Sequence, residues 1–210
     1  MIRHRLIPLI VALVLGLASA AWAGPPTEQL RTYTDQVLKI LQNPSMTLAD
    51  RREAVRSLAE EVFDVTETAK RALGQHWLQR SQAERDEFVK LFANLLEQTY
   101  IARIDEFGGE KLTYVGEQID GERAVVRAKI TTKNGTDVPV ESRVLLKGNR
   151  WLIYDILIEN LSLISNYRAQ FDRVIRTASY DELVKRLKTK GEFLSEKGTK
   201  APRKGDPGKN

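Results

Sequence analysis

Residues Trp151 to Ile158 read W-L-I-Y-D-I-L-I, apolar at both parities except for Asp155. Successive side chains of a strand point to opposite faces, so a strand of this kind needs apolar surroundings on both. Its neighbours are different. Val126, Ala128 and Ile130 alternate with Arg127, Lys129 and Thr131, while Val138, Val140, Val144 and Leu146 alternate with Glu141, Arg143 and Lys147. Those strands have one dry face and one wet face. A chain that carries both kinds must lay its sheet against further layers. Its doubly apolar strand must lie where two layers meet, or where one face lines something apolar.

The pattern predicts four strands, over residues 111–118, 123–132, 138–147 and 150–158. Asp120-Gly121, Asn134-Gly135 and Gly148-Asn149 are joints of the kind that close antiparallel hairpins. Before the sheet the period is helical. Leu30, Tyr33, Val37, Ile40 and Leu41 mark a helix over 27–41, which Asn43-Pro44 ends. Ala54, Val55, Leu58, Ala59 and Val62 mark a second from Leu48. Asp64 with Glu67 opens a short third, which ends near Gly74; Ser81 with Glu84 opens the longest, predicted to reach about Glu106. Phe88, Leu91, Phe92, Leu95, Leu96, Thr99 and Tyr100 give that helix a wide apolar face. Two helices follow the sheet: 165–177, with Tyr167, Phe171, Val174 and Ile175, and one from Ser179 with Leu183, Val184 and Leu187. The expected fold is α+β: a helical N-terminal half, a four-stranded antiparallel sheet and two C-terminal helices.

The ends read differently. Arg3 and Arg5, the apolar run from Leu6 to Ala18 and Ala21-Trp22-Ala23 form a secretory leader, with cleavage expected after Ala23. The run is shorter than the ~20 residues a spanning helix needs, and nothing after Ala23 would cross a bilayer. The expected location is the periplasm. Residues 24–194 make one domain, and from Ser195 a disordered basic tail is expected, where Lys197, Lys200, Arg203, Lys204 and Lys209 face only Glu196 and Asp206. The tail holds most of the basic excess, and no basic stripe with interleaved aromatics suggests nucleic acid. The chain has no cysteine, so no disulfide supports the fold.

Catalytic signatures are missing. His76 is the one histidine outside the leader, and there is no G-x-S-x-G, G-x-x-x-x-G-K-[ST] or G-x-G-x-x-G. No metal site or cofactor is expected. Asp155 would serve as an acid or base, or as a structural link from sheet to helix through Arg168, Arg143 or a backbone donor; the absence of a second catalytic group nearby favours the link. His76 with Asp155 is the one credible pair for a hydrolase.

Residues 148–171, G-N-R-W-L-I-Y-D-I-L-I-E-N-L-S-L-I-S-N-Y-R-A-Q-F, and residues 63–77, F-D-V-T-E-T-A-K-R-A-L-G-Q-H-W, carry a resemblance. Trp151, Tyr154, Asp155, Ile156, Glu159, Ser162, Asn166, Tyr167, Arg168, Gln170 and Phe171 match the signature of the toluene-tolerance family, with Asn160 where members often have glycine. The resemblance implies a strongly curved four-stranded sheet backed by helices, with phospholipid acyl chains in an apolar pocket between them. It implies a non-enzymatic shuttle whose partners are an inner-membrane ABC transporter with a periplasmic lipid-binding ring and an outer-membrane lipoprotein complex. Leu91, Leu95, Tyr100, Val126, Val144, Trp151, Ile153, Tyr154, Ile156, Tyr167, Phe171 and Ile175 are the expected lining, with Asn166 and Arg168 in structural bonds. The alternatives are a carrier or accessory for another apolar lipid such as a hopanoid, and a ligand-free adaptor of the transporter.

Overall fold

A computed structural model describes residues 25–106 and 108–189. The predicted leader and the tail from Ser195 lie outside the described residues. The helices are α1 (Pro25–Gln42), α2 (Leu48–Val62), α3 (Val65–Leu73), α4 (Gln82–Tyr100), α5 (Leu163–Thr177) and α6 (Tyr180–Lys188). The strands are β1 (Lys111–Asp120), β2 (Arg123–Thr131), β3 (Asp137–Lys147), β4 (Arg150–Ile158) and β5 (Leu161–Ser162). They form one open antiparallel sheet in sequence order.

Two sequence expectations are corrected. The sheet has five strands rather than four. Glu159 and Asn160 both take left-handed backbone (φ 51° and 65°), the geometry of a tight hairpin turn, and fold Leu161 and Ser162 back onto Ile158 and Leu157. Two residues are too few to show a period of two, and the second turn position is the one where family members often carry glycine. The longest helix also stops early. α4 ends at Tyr100, and Ile101–Glu106 tightens into a 3-10 turn. The Ala102 carbonyl there accepts a hydrogen bond from Arg52 of α2, at 2.7 Å.

The caps follow the sequence. Thr47 with Asp50, and Ser81 with Glu84, form reciprocal capping boxes. Asp64 caps α3 by accepting from the Glu67 N–H at 3.0 Å. It also donates its own N–H to the Ile153 carbonyl at 2.8 Å and pairs with Lys147, so the α2–α3 corner is tied to the edge of β4.

The dry face of the sheet is covered by α1 and α2. Leu30 and Val62 pack there against Ala124, Val126, Val144, Trp151 and Ile153. The start of α1 is stitched on by polar contacts: Thr27 donates its N–H and hydroxyl to Glu117, and the Gln29 amide closes both backbone groups of Trp151. The other helices form a second apolar cluster of their own. Ala69 and Ala72 of α3 let α5 approach closely, and Phe88, Phe92, Tyr167 and Phe171 meet ring to ring with centroids 5.2–5.9 Å apart.

β4 touches both layers because of a bulge. Val144 pairs with Ile153 and Arg143 with Asp155, which leaves Tyr154 as an extra residue. In an unbroken strand Ile153 and Ile156 would point to opposite faces. The insertion puts both on the dry face with Trp151, and turns Asp155 and Leu157 toward α3 and α5. Asp155 is 5% exposed and fully engaged. Its carboxylate accepts from the Ser162 hydroxyl (2.7 Å) and the Ile164 N–H (3.2 Å), with the Arg143 guanidinium at 3.5 Å. A carboxylate at the start of α5 also complements the helix dipole.

Two outcomes follow for stability. Phe92→Ala removes a fully buried ring and is expected to cost about 3–5 kcal/mol in urea unfolding, whereas Leu78→Ala, on an exposed side chain, should stay within about 0.5 kcal/mol. Asp155→Ala leaves the Ile164 N–H and the Ser162 hydroxyl without their acceptor and should cost about 3 kcal/mol, with Asp155→Asn costing less because it keeps one acceptor oxygen.

Candidate functional site

The interior is divided. A single domain normally builds one contiguous apolar core. Here the buried residues fall into two clusters, one on the dry face of the sheet and one among α3, α4, α5 and α6. Much of the apolar surface that neither cluster absorbs is only half-buried. On the sheet this surface includes Leu112 of β1, Ile130 of β2, Val138 and Val140 of β3, and Ile158 of β4. The register sets Leu112 opposite Ile130 and Ile130 opposite Val138 in one row, and Val140 opposite Ile158 in the next, so these side chains form a patch of two adjoining rows across four strands. Val37, Ile40 and Leu41 in the second half of α1, Leu58 of α2, and Ile101 and Ile104 of the 3-10 turn are half-buried too.

The expected lining residues divide between these regions. Val126, Val144, Trp151, Ile153 and Ile156 belong to the dry-face cluster, where Ile156 is half-buried. Leu91, Leu95, Tyr167, Phe171 and Ile175 belong to the helical cluster. Tyr167 and Phe171 are enclosed there by Phe88 and Phe92. Tyr154, the bulge residue, lies under the Arg71 guanidinium, 4.0 Å from its ring centroid. Tyr100 ends α4 and is 38% exposed. The sequence list omits Leu30, Tyr33, Val62 and Tyr114, which the structure brings onto the dry face. Tyr114 was hidden by a second bulge, at Val115, which interrupts the alternation of β1. Its hydroxyl meets Thr34 of α1 at 2.7 Å, and burial raises its pKa. Ile130, Val138 and Val140 were legible in the alternation itself.

Polar groups near the apolar regions are occupied by structural bonds. Arg168 donates to the Arg71 carbonyl at 2.7 Å and packs against Gly74, while Asn166 accepts from Gln170 one turn on. His76 and Asp155 have different partners. His76 Nε2 lies 2.9 Å from Asp172 Oδ1, and that hydrogen bond holds the Asp172 carboxyl below the usual carboxylate range. Among the described residues no group of three or more His, Cys, Asp or Glu side chains is arranged to hold a metal ion, and no helix is long and apolar enough to cross a membrane.

Known proteins resemble this architecture. The MlaC protein family model matches residues 31–189. The intermembrane phospholipid transport system binding protein MlaC of Haemophilus influenzae is 22% identical over 154 residues, which is 71% of this chain and 70% of that protein. The phospholipid-binding protein of Ralstonia solanacearum, solved in complex with a phospholipid, superposes with a TM-score of 0.69 at 26% identity, covering 78% of this chain and 95% of that one. The family match spans the sheet, all but the start of α1 and the five later helices, the segments that also carry the W-L-I-Y-D-I and N-Y-R-A-Q-F motifs. The chain belongs to the MlaC family.

Proposed function

We propose that this protein binds a phospholipid with its acyl chains over the dry face of the sheet, and carries it through the periplasm between the outer membrane and an inner-membrane ABC transporter. The observation that carries the reading is the divided interior, in which an apolar patch on the dry face of the sheet is left half-covered. The phospholipid in the Ralstonia solanacearum relative supports the choice of ligand. The physical need is large. Each methylene moved out of water is worth about 0.8 kcal/mol, so a chain of ~16 carbons gains on the order of 13 kcal/mol from a dry container. Apolar walls give that energy without reading the head group, so head-group selection should be weak.

In this reading residues 24–194 are a single lipid-binding domain and residues 1–23 an export signal. Ile156 faces the acyl chains with the half-buried patch, Val126, Val144 and Ile153 underlie it, and Leu91, Leu95, Tyr167, Phe171 and Ile175 make up the helical wall. Trp151 anchors α1, and Tyr100 lies at the rim. The role needs binding and release alone, so no side chain is assigned to catalysis.

Organic extraction and mass spectrometry of protein purified from periplasm test this. About one phospholipid per chain, of mixed head groups, is the expected result. A hopanoid would move the ligand to another lipid class, and an empty protein that takes nothing from vesicles would leave an adaptor. Val140→Asp with Ile156→Asp puts charge onto the half-buried part of the dry face and should abolish lipid content with the fold retained by circular dichroism, because an unpaired charge beside hydrocarbon costs several kcal/mol. Unchanged lipid in that folded variant would place the acyl chains elsewhere.

A further inference from the structure

The wet face of the sheet carries an organised surface of its own. Val125, Leu145 and Leu152 lie on it, half-buried, and belong to neither apolar cluster. The register brings them together. Leu145 is opposite Leu152 on one side and Arg123 on the other, Val125 is opposite Arg143, and Lys147 is opposite Arg150. Three apolar side chains are thus ringed by Arg123, Arg143, Lys147 and Arg150. On this face α3 and α5 meet the sheet at β4.

The balancing carboxylates are drawn inward. Arg143 is 40% exposed over Asp155 at 5%, and Lys147 is 52% exposed over Asp64 at 6%. Arg123 and Arg150 are exposed and make no ion pair among the described residues. Of the other acids on this face, Glu141 pairs with Arg127 and Asp137 with Lys129, and Asp120 of β1 stands opposite Arg123 in the register. The ion pairs point their negative ends into the protein, so solvent meets the cations.

We infer that this face is a docking surface for a protein partner that presents carboxylates around a projecting apolar side chain. Three of the four ring cations are arginines, whose planar forks match carboxylates and suit protein interfaces better than lysine. The apolar centre is half-buried. A membrane-inserting surface needs projecting hydrophobic groups beside its cations. The large exposed ones among the described residues (Leu48, Leu78, Tyr100, Val115, Ile119, Leu161) all lie outside the ring. A half-buried apolar centre inside a cationic rim suits an apolar side chain of a partner, with the rim charges steering and orienting the encounter.

The test uses the full chain, a fluorescein-labelled peptide of alternating glutamate and leucine as acidic probe, and phosphatidylglycerol vesicles as the competing surface. Arg123→Glu with Arg150→Glu should weaken peptide binding by about tenfold or more in fluorescence anisotropy, because it reverses two unpaired rim charges. Lys39→Glu with Lys90→Glu makes the same change in net charge on exposed helical positions and should leave binding within about twofold if the effect is local. Equal melting temperatures and equal lipid content in both variants show that the fold and the lipid site are intact. The inference is overturned if the wild-type protein does not bind the peptide, if the two double variants lose equally, or if neither loses. It is also overturned if the protein sediments with the vesicles and the Arg123/Arg150 variant alone stops doing so, which would assign the face to membrane.

Discussion

The carboxylate of Asp155 joins the two halves of the molecule. It is the one charged position in the doubly apolar strand, and it is buried. An isolated charge in such a place would cost several kcal/mol. Here the cost is offset by the hydroxyl of Ser162, the N–H of Ile164 and the guanidinium of Arg143. The first two donors stand at the start of α5, and Ser162 also caps that helix through the Ser165 N–H. β4, β5 and α5 are therefore fixed to one another by a single side chain. The helical cluster, whose rings hang from α4 and α5, takes its position on the sheet from this point.

With the helices held there, the fold has two apolar regions instead of one. Tyr167 and Phe171 fill the helical cluster by contact with Phe88 and Phe92, which makes that side a rigid wall. The dry face has fewer large rings and more aliphatic side chains that remain half-buried. A carrier needs this asymmetry. One layer supplies the stability of the domain, and the other can leave apolar surface uncovered without loss of the fold. The wet face serves the helical layer at β4 through Asp155, and its exposed arginines lie on β2 and β3 and at the start of β4.

Much of this was legible in the sequence. The helix starts at Ser81 and Asp64, the three hairpins, the dry and wet faces of β2 and β3, and the need for cover on both sides of β4 all follow from short-range patterns. Those patterns reflect rules that act within a few residues: capping, turn geometry and alternation. The family motifs lie in the same segments. The link through Asp155 was open to a choice among Arg168, Arg143 and a backbone donor, because the partners are distant in sequence or depend on where α5 begins.

The bulges were not legible. An extra residue at Tyr154 or Val115 changes which side chains share a face, yet it leaves composition and propensity unchanged. Sequence alone thus determined the types of the six helices and four long strands, and the family. Tertiary structure decided that Ile153 and Ile156 share the dry face, that Tyr154 turns away under Arg71, and that the apolar residues divide into two clusters. Periodicity records the face a residue would take in an unbroken element. Only the packed strands fix where the break falls, since the bulge is set by pairing with β3 and by the need of Asp155 to reach its donors on α5.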